Sequence, residues 1–406
     1  MKQGILVMIV AVAACGGGNP PPARNTQERA ADSAQAVASL RQSQFETASK
    51  EATTALAKDA RSGTAAAVRA IVTYQLAAHE LVTELGKVLE QGLSLKLLDH
   101  AGGRAAWQKF LDQLTVVDRD LAIVTADPSF SLELCIACWD RDYNRSGQID
   151  ERDRKLLEIE LDANGERMED ADPRRRPTFK FDVGDAEWAR AMVSFQRAFV
   201  ELVLAYQWSD LDLLVFGRGE KPPPLTIKLG DTKRVTHARE LILSGLAAAE
   251  RCRAAYLAET DDDREWVPNP RQKNHPIPLT IDDSIYATWS AVAGDLHRAL
   301  ESKEGISLRQ VAALGDRDSS QLVPDAYLDL GAMLGTPKDI VIDLSVFDGT
   351  PTPDRVEGLI RGLVGNGYKT SMKASPLVGR LAAMKQQMDR GEDTFERKLR
   401  YLLWLN

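Results

Sequence analysis

Between Asp142 and Asp153 the chain spaces side-chain oxygens in a way that could hold a hard cation. The stretch reads Asp-Tyr-Asn-Arg-Ser-Gly-Gln-Ile-Asp-Glu-Arg-Asp. With Gly147 as the sixth position, Asp142, Asn144 and Ser146 fall at one, three and five, Asp150 at nine and Asp153 at twelve, while Gln148 at seven offers its main-chain carbonyl. Alternating donors fold onto one side of an ion only if the chain then turns sharply, and glycine permits that turn. Ile149 follows as an apolar pin. Oxygen donors without thiolate or imidazole suit calcium rather than a transition metal.

The loop resembles an EF-hand calcium loop, and Asp rather than Glu at the twelfth position is similar to the dockerin variant. The resemblance implies one Ca2+ and a helix on each side, with Leu134, Ala137 and Cys138 facing inward before the loop and Leu157 and Leu161 after it. Arg141 and Arg154 stand where an EF-hand commonly has apolar residues, and Arg145 and Arg152 bring positive charge near the ion. Three formal carboxylates then predict a dissociation constant of roughly 10⁻⁵ to 10⁻³ M, that of a stabiliser rather than a sensor. The competing reading is an Asx-rich turn in which Asp150 caps the next helix without metal. A partner loop at Asp162-Ala-Asn164-Gly-Glu166 is degenerate, with Gly165 misplaced and Pro173 where the last ligand would fall; it reads as a helix stop.

Other constellations lack a partner at the needed spacing. His79-Glu80 begins like a zinc-protease helix, but Thr83 occupies the place of the second histidine, and His100, His237, His275 and His297 are scattered singly. Gly362 to Thr370 resembles a phosphate loop, yet it follows helical sequence rather than a strand and reads as a helix end and turn. There is no Gly-x-Ser-x-Gly elbow. Asp261-Asp-Asp263 reads as a solvated charge run, and Asp170 to Pro177, with three consecutive arginines, as a surface loop pairing with nearby acids. Cys135-Ile-Ala-Cys138-Trp139 lacks the histidine of haem attachment. Cys135 and Cys138 could pair locally, or Cys252 could pair with one of them.

At the N-terminus, Met1-Lys2 precedes the apolar run Ile5 to Ala14, too short to span a bilayer, which reads as a secretory segment over 1–14. It ends in Val12-Ala13-Ala14-Cys15, which resembles the bacterial lipobox; the resemblance implies that Cys15 carries lipid. Residues 15–24, with Gly16-Gly-Gly18 and Pro20-Pro-Pro22, form a tether. By resemblance to lipoprotein sorting, Gly16 after the cysteine argues for the outer membrane of a bacterial cell envelope.

The body that must position these groups reads as mainly α: a multi-helix bundle with an EF-hand-like helix-loop-helix and few short β segments. One helical region covers 25–216 and a second covers 217–406, with the boundary marked by Gly217, Gly219, three prolines and Gly230. The first region is read as helices over 25–60, 64–98, 103–126 and 185–208. In the last of these, Asp185 is the expected N-cap and Trp188, Met192, Phe195, Phe199, Leu202 and Tyr206 the core stripe. The second is read as helices near 236–258, 283–303, 323–334, 353–364 and 375–404, and β-prone runs occur at 225–228, 277–281 and 339–344.

With 51 Lys+Arg against 59 Asp+Glu, the formal charge of −8 supplies no basic field for a nucleic-acid backbone. These features point to a lipid-anchored, non-enzymatic extracytoplasmic helical protein, stabilised by calcium and acting as an envelope binding or scaffold protein toward a protein or glycan partner. Two other classes compete. An envelope hydrolase acting on glycan or peptide would show two carboxylates facing each other in a deep cleft. A solute-binding lipoprotein would show a ligand-sized apolar pocket between the two helical regions.

Overall fold

The computed structural model describes residues 26–388 apart from 96, 144–146, 156, 163–165, 210, 211, 213–223, 263, 278–280, 316–318, 348 and 349. The secretory segment, Cys15 and its tether, and the end of the helix expected over 375–404 lie outside the described residues.

The helix expected over 25–60 forms as two, α1 (Thr26–Arg41) and α2 (Phe45–Lys58). Ser43 takes the left-handed conformation at φ 60°, and Gln44 N–H donates to Ser39 O to close the turn. A straight helix of that length would run about 50 Å and could not lay its thin apolar face on one neighbour. Folded back, Ala36, Leu40, Phe45, Ala48, Ala52 and Ala55 share a core with Ala65, Ala66 and Val68 of α3 (Gly63–Leu95). Next comes α4 (His100–Thr125), started by Asp99 accepting from Gly102 N–H; it lies along α3, and fully buried Asp120 holds Arg69 through two bonds of 2.6 and 2.7 Å.

Strands β1 (Leu132–Leu134) and β2 (Phe179–Phe181) pair antiparallel, so the 142–153 stretch is an excursion between them, carrying the short helix α5 (Glu151–Lys155). Helix α6 (Val183–Ala205) follows β2 directly. Its N-cap is Asp182 rather than Asp185: Asp182 accepts from the N–H groups of Gly184 and Asp185, and Asp185 accepts from Asp182 N–H. Two acids three residues apart make this reciprocal box, which satisfies more end groups than Asp185 could alone.

The aromatic stripe of α6 is not its most buried face. Trp188, Met192, Phe195 and Leu202 are half-buried and Phe199 is 56% exposed. Small residues are buried instead, because α7 (Thr232–Ala258) lies close alongside: Ala191 meets Ala248 and Ala249, and Ala198 meets Ala238. Gly245 sits beneath the Phe195 ring, where a Cβ would come within 2.6 Å. α6 and α7 flank the expected boundary, so the cores of the two regions are continuous.

Beyond α7 come α8 (Asp283–Leu300), α9 (Leu308–Gly315), α10 (Leu330–Gly335), α11 (Pro353–Val364) and α12 (Leu377–Met388). The helix expected over 323–334 shrinks to α10, because Tyr327–Leu328 form the middle strand of a small antiparallel sheet. Its neighbours are Ile306–Ser307 and Tyr368–Lys369. The β-prone runs at 225–228 and 339–344 pair antiparallel, Leu225 opposite Ile342 and Ile227 opposite Ile340. Ile277 is buried, without strand structure. The fold is thus mainly α with a few short strands, and no described helix is long and apolar enough to cross a membrane.

Candidate functional site

The approach to the loop differs from the expected helix. β1 is held by its ladder to β2, and Ile136–Cys138 form a single 3-10 turn closed by a disulfide between Cys135 and Cys138. Leu134 and Ala137 face the core as expected, but from a strand and a turn, whereas Cys138, expected to face inward with them, is exposed. Arg141 is explained by its packing: its guanidinium lies over the Phe45 and Tyr143 rings and donates to the side chain and carbonyl of Gln75. Burial pushes the Tyr143 phenol up to about 12, with nearby Arg141 opposing the shift and Asp153 adding to it.

Within the loop, Gly147 takes φ 83°, and its N–H donates to the Asp142 carboxylate at 2.7 Å. That is the turn the oxygen spacing demands. Asp150 N–H donates to Asp153 at 3.0 Å and Asp153 N–H to Asp150 at 3.4 Å, a second reciprocal box that starts α5. Asp153 is buried, whereas Gln148 is exposed. Asn144 and Ser146 lie outside the described residues. Among the described residues no three His, Cys, Asp or Glu converge as a metal group. The donor chemistry, all oxygen around a left-handed glycine, fits a hard cation, and the same carboxylates also do the capping of the competing reading.

The other charged motifs are absorbed by the fold. Buried Arg175 lies 2.7 Å from Glu158 and also pairs with Asp170; Arg174 pairs with Asp172 and Arg176 with Glu158. Asp262 accepts the N–H groups of Lys273 and Asn274. His100 bonds Asp212, His237 bonds Glu201, and His297 lies 3.2 Å from Glu301. Gly362 to Thr370 is the end of α11 and a turn, as expected, followed by a short strand that was not.

At the start of α6 the structure gathers acids that sequence spacing did not bring together. The Tyr256 hydroxyl donates to Asp185 at 2.7 Å, both groups buried. Burial and the neighbouring Asp182 push the Asp185 carboxyl up. Burial and Asp182, which shares a side-chain hydrogen bond with Glu259, hold Glu259 at about 9 although Gln272 donates to it. Asp182 is committed to its cap and to Glu259. These carboxylates therefore stabilise a helix start rather than stand clear to share a substrate. Asp182 and Asp185 also border a cavity of about 100 Å³ between α3, α4, α6 and the β1–β2 pair, whose other walls are apolar apart from Tyr74 and Gln75.

A roomier cavity, about 490 Å³, opens at the other end of α6. Leu202, Tyr206 and Trp208 from the first region face Ile227, Val235, Met333, Leu334, Ile340 and Leu363 from the second. No local motif announces it, since its walls come from six separate stretches of chain.

No protein-family model, no curated protein and no solved structure matches the chain.

Proposed function

We propose that the chain is a lipid-anchored, non-enzymatic binding protein of the bacterial envelope, held by Cys15 at the outer membrane and engaging an envelope protein or glycan through its helical body. The observation that carries this reading is the Cys135–Cys138 disulfide in a chain that also bears a lipobox. Such bonds persist in oxidising compartments and are rare where thiols are kept reduced. In the loop, the side chains of Asp142, Asn144, Ser146, Asp150 and Asp153 and the carbonyl of Gln148 would hold Ca2+, whose charge would tie α5 to the chain before it.

The 490 Å³ apolar cavity between the two regions favours a second form of this reading, in which the bound partner is a small apolar solute.

The test is fractionation of cells producing the chain and its Cys15→Ala variant, with alkylation of reducible thiols. The parent chain is expected in the membrane pellet with Cys135 and Cys138 unreactive until reduced, and the variant in the released fraction. A variant that stays in the pellet, or a Cys135–Cys138 pair found reduced in the isolated protein, overturns the reading.

A further inference from the structure

The cavity at the start of α6 is walled mostly by hydrocarbon and aromatic ring. Val117 and Leu121 of α4, Val193 of α6 and the rings of Phe130 and Phe181 all line its 100 Å³. Ile71, Gln75 and Asp182 on its wall are only half-buried, so the space is not sealed beneath the surface. A dry apolar cavity of about 150 Å³ accepts benzene, which makes this one a fit for a single small ring.

The polar groups on this wall are engaged, with one exception. Gln196 Nε2–H donates to the Tyr74 hydroxyl at 2.9 Å, and Gln75 accepts from Arg141. Asp182 and Asp185 are committed to the α6 cap and to Tyr256, and burial pushes the Asp185 carboxyl up, toward its neutral form. The exception is Trp139, which also lines the cavity. It is 4% exposed, and its indole N–H meets no acceptor among the described residues. The ring is held in place, since Phe45 meets it edge to face at 5.5 Å and the turn before it is closed by the Cys135–Cys138 disulfide. A buried donor without an acceptor costs its full desolvation, which an acceptor brought by an occupant would recover.

We infer that this cavity binds a small uncharged cyclic ketone or ether, its ring among the apolar side chains of α3, α4 and α6 and its oxygen accepting the Trp139 indole N–H. An ion would be stripped of water against hydrocarbon walls whose two acids are already engaged, and a bare hydrocarbon would leave the indole N–H unanswered. The site lies at the opposite end of α6 from the 490 Å³ cavity. The inference therefore goes beyond the proposed function, and neither falls with the other.

The experiment is calorimetric titration of the full chain carrying Cys15→Ser with cyclopentanone and with methylenecyclopentane, which has the same shape without the oxygen. Each is expected to bind once per chain. Trp139→Phe keeps a ring and removes the donor, and should shift the ratio of the two dissociation constants about tenfold against the ketone. The ratio cancels any change in packing that both ligands feel. Cyclopentylammonium should not compete with the ketone. Ala189→Leu should fill the space and abolish binding of both ligands; Ala70→Leu asks the same question if Ala189→Leu does not fold. Absence of saturable ketone binding, an unchanged ratio in Trp139→Phe, competition by the ammonium, or binding unaltered in the folded leucine variants overturns the inference.

Discussion

At its first turn helix α6 is closed by acids that the fold uses; past its last turn it borders a space that the fold leaves unfilled. Both ends obey the same electrostatics, with carboxylates at the positive start of the helix dipole and the Arg104 guanidinium on the carbonyls at its negative end. They differ in what is left over. At the start, Asp182 and Asp185 are turned to main-chain N–H groups and to the Tyr256 hydroxyl, and Gly184 leaves no room for a Cβ against the Tyr256 ring. At the end, the Tyr206 and Trp208 donors are turned to main-chain carbonyls, and the side chains around them leave an apolar space of about 490 Å³. A buried titratable cluster is thus architecture when its groups answer one another, and a binding site is better sought where the fold leaves apolar surface unfilled.

The contrast can be broken most directly at the acidic end. Asp185→Ala removes the acceptor for Tyr256 and half of the α6 cap, and should cost about 2–5 kcal/mol in urea unfolding, from a stranded buried donor plus a lost cap. A loss below about 1 kcal/mol would mean that these acids are not consumed by the fold.

The Asp142–Asp153 loop lies between the two cases, its carboxylates turned to the main chain yet spaced as cation donors. Calcium at about 100 times its dissociation constant should add roughly 2.7 kcal/mol. Thermal melts of the Cys15→Ser chain in EDTA and in millimolar calcium should differ by several degrees, and Asp142→Ala should remove the difference. Coincident melts of the parent protein would place the loop with the α6 start, as a capped turn alone.

The smallest expected effect is a slope. Glu259 is held at about 9 against an ordinary 4.5, so on unfolding it gives up a proton it retains when folded. Its contribution to stability is fully present below pH about 4.5, declines as pH rises, and is gone above pH about 9. Urea midpoints measured at pH 5, 7 and 9 should fall less steeply for Glu259→Gln than for the parent chain. Parallel declines would remove Glu259 from the cluster, although Asp185, also pushed up, keeps part of the slope in both proteins.

Periodicity made α3, α4, α6 and α7 legible, because each is long and carries its apolar residues at helical spacing. It misplaced the buried face of α6, since hydrophobicity ranks Phe199 above Ala198 whereas close helix approach selects the alanine. The break at Ser43 escaped it because a polar residue in the left-handed region carries no strong signal beside good helix formers. The oxygen spacing of the loop and the left-handed Gly147 were legible in one short stretch. The cavity was not, because Trp208, Ile227, Met333 and Leu363 become neighbours only through tertiary packing.

Cys252 lies fully buried on α7, outside the Cys135–Cys138 bond, and burial pushes its thiol well above the usual range. A thiolate-directed reagent therefore meets neither an accessible sulfur nor an ionised one while α7 is seated. The rate at which such a reagent captures this sulfur is governed by how often the α6–α7 core opens, so the chain carries its own clock for native-state opening.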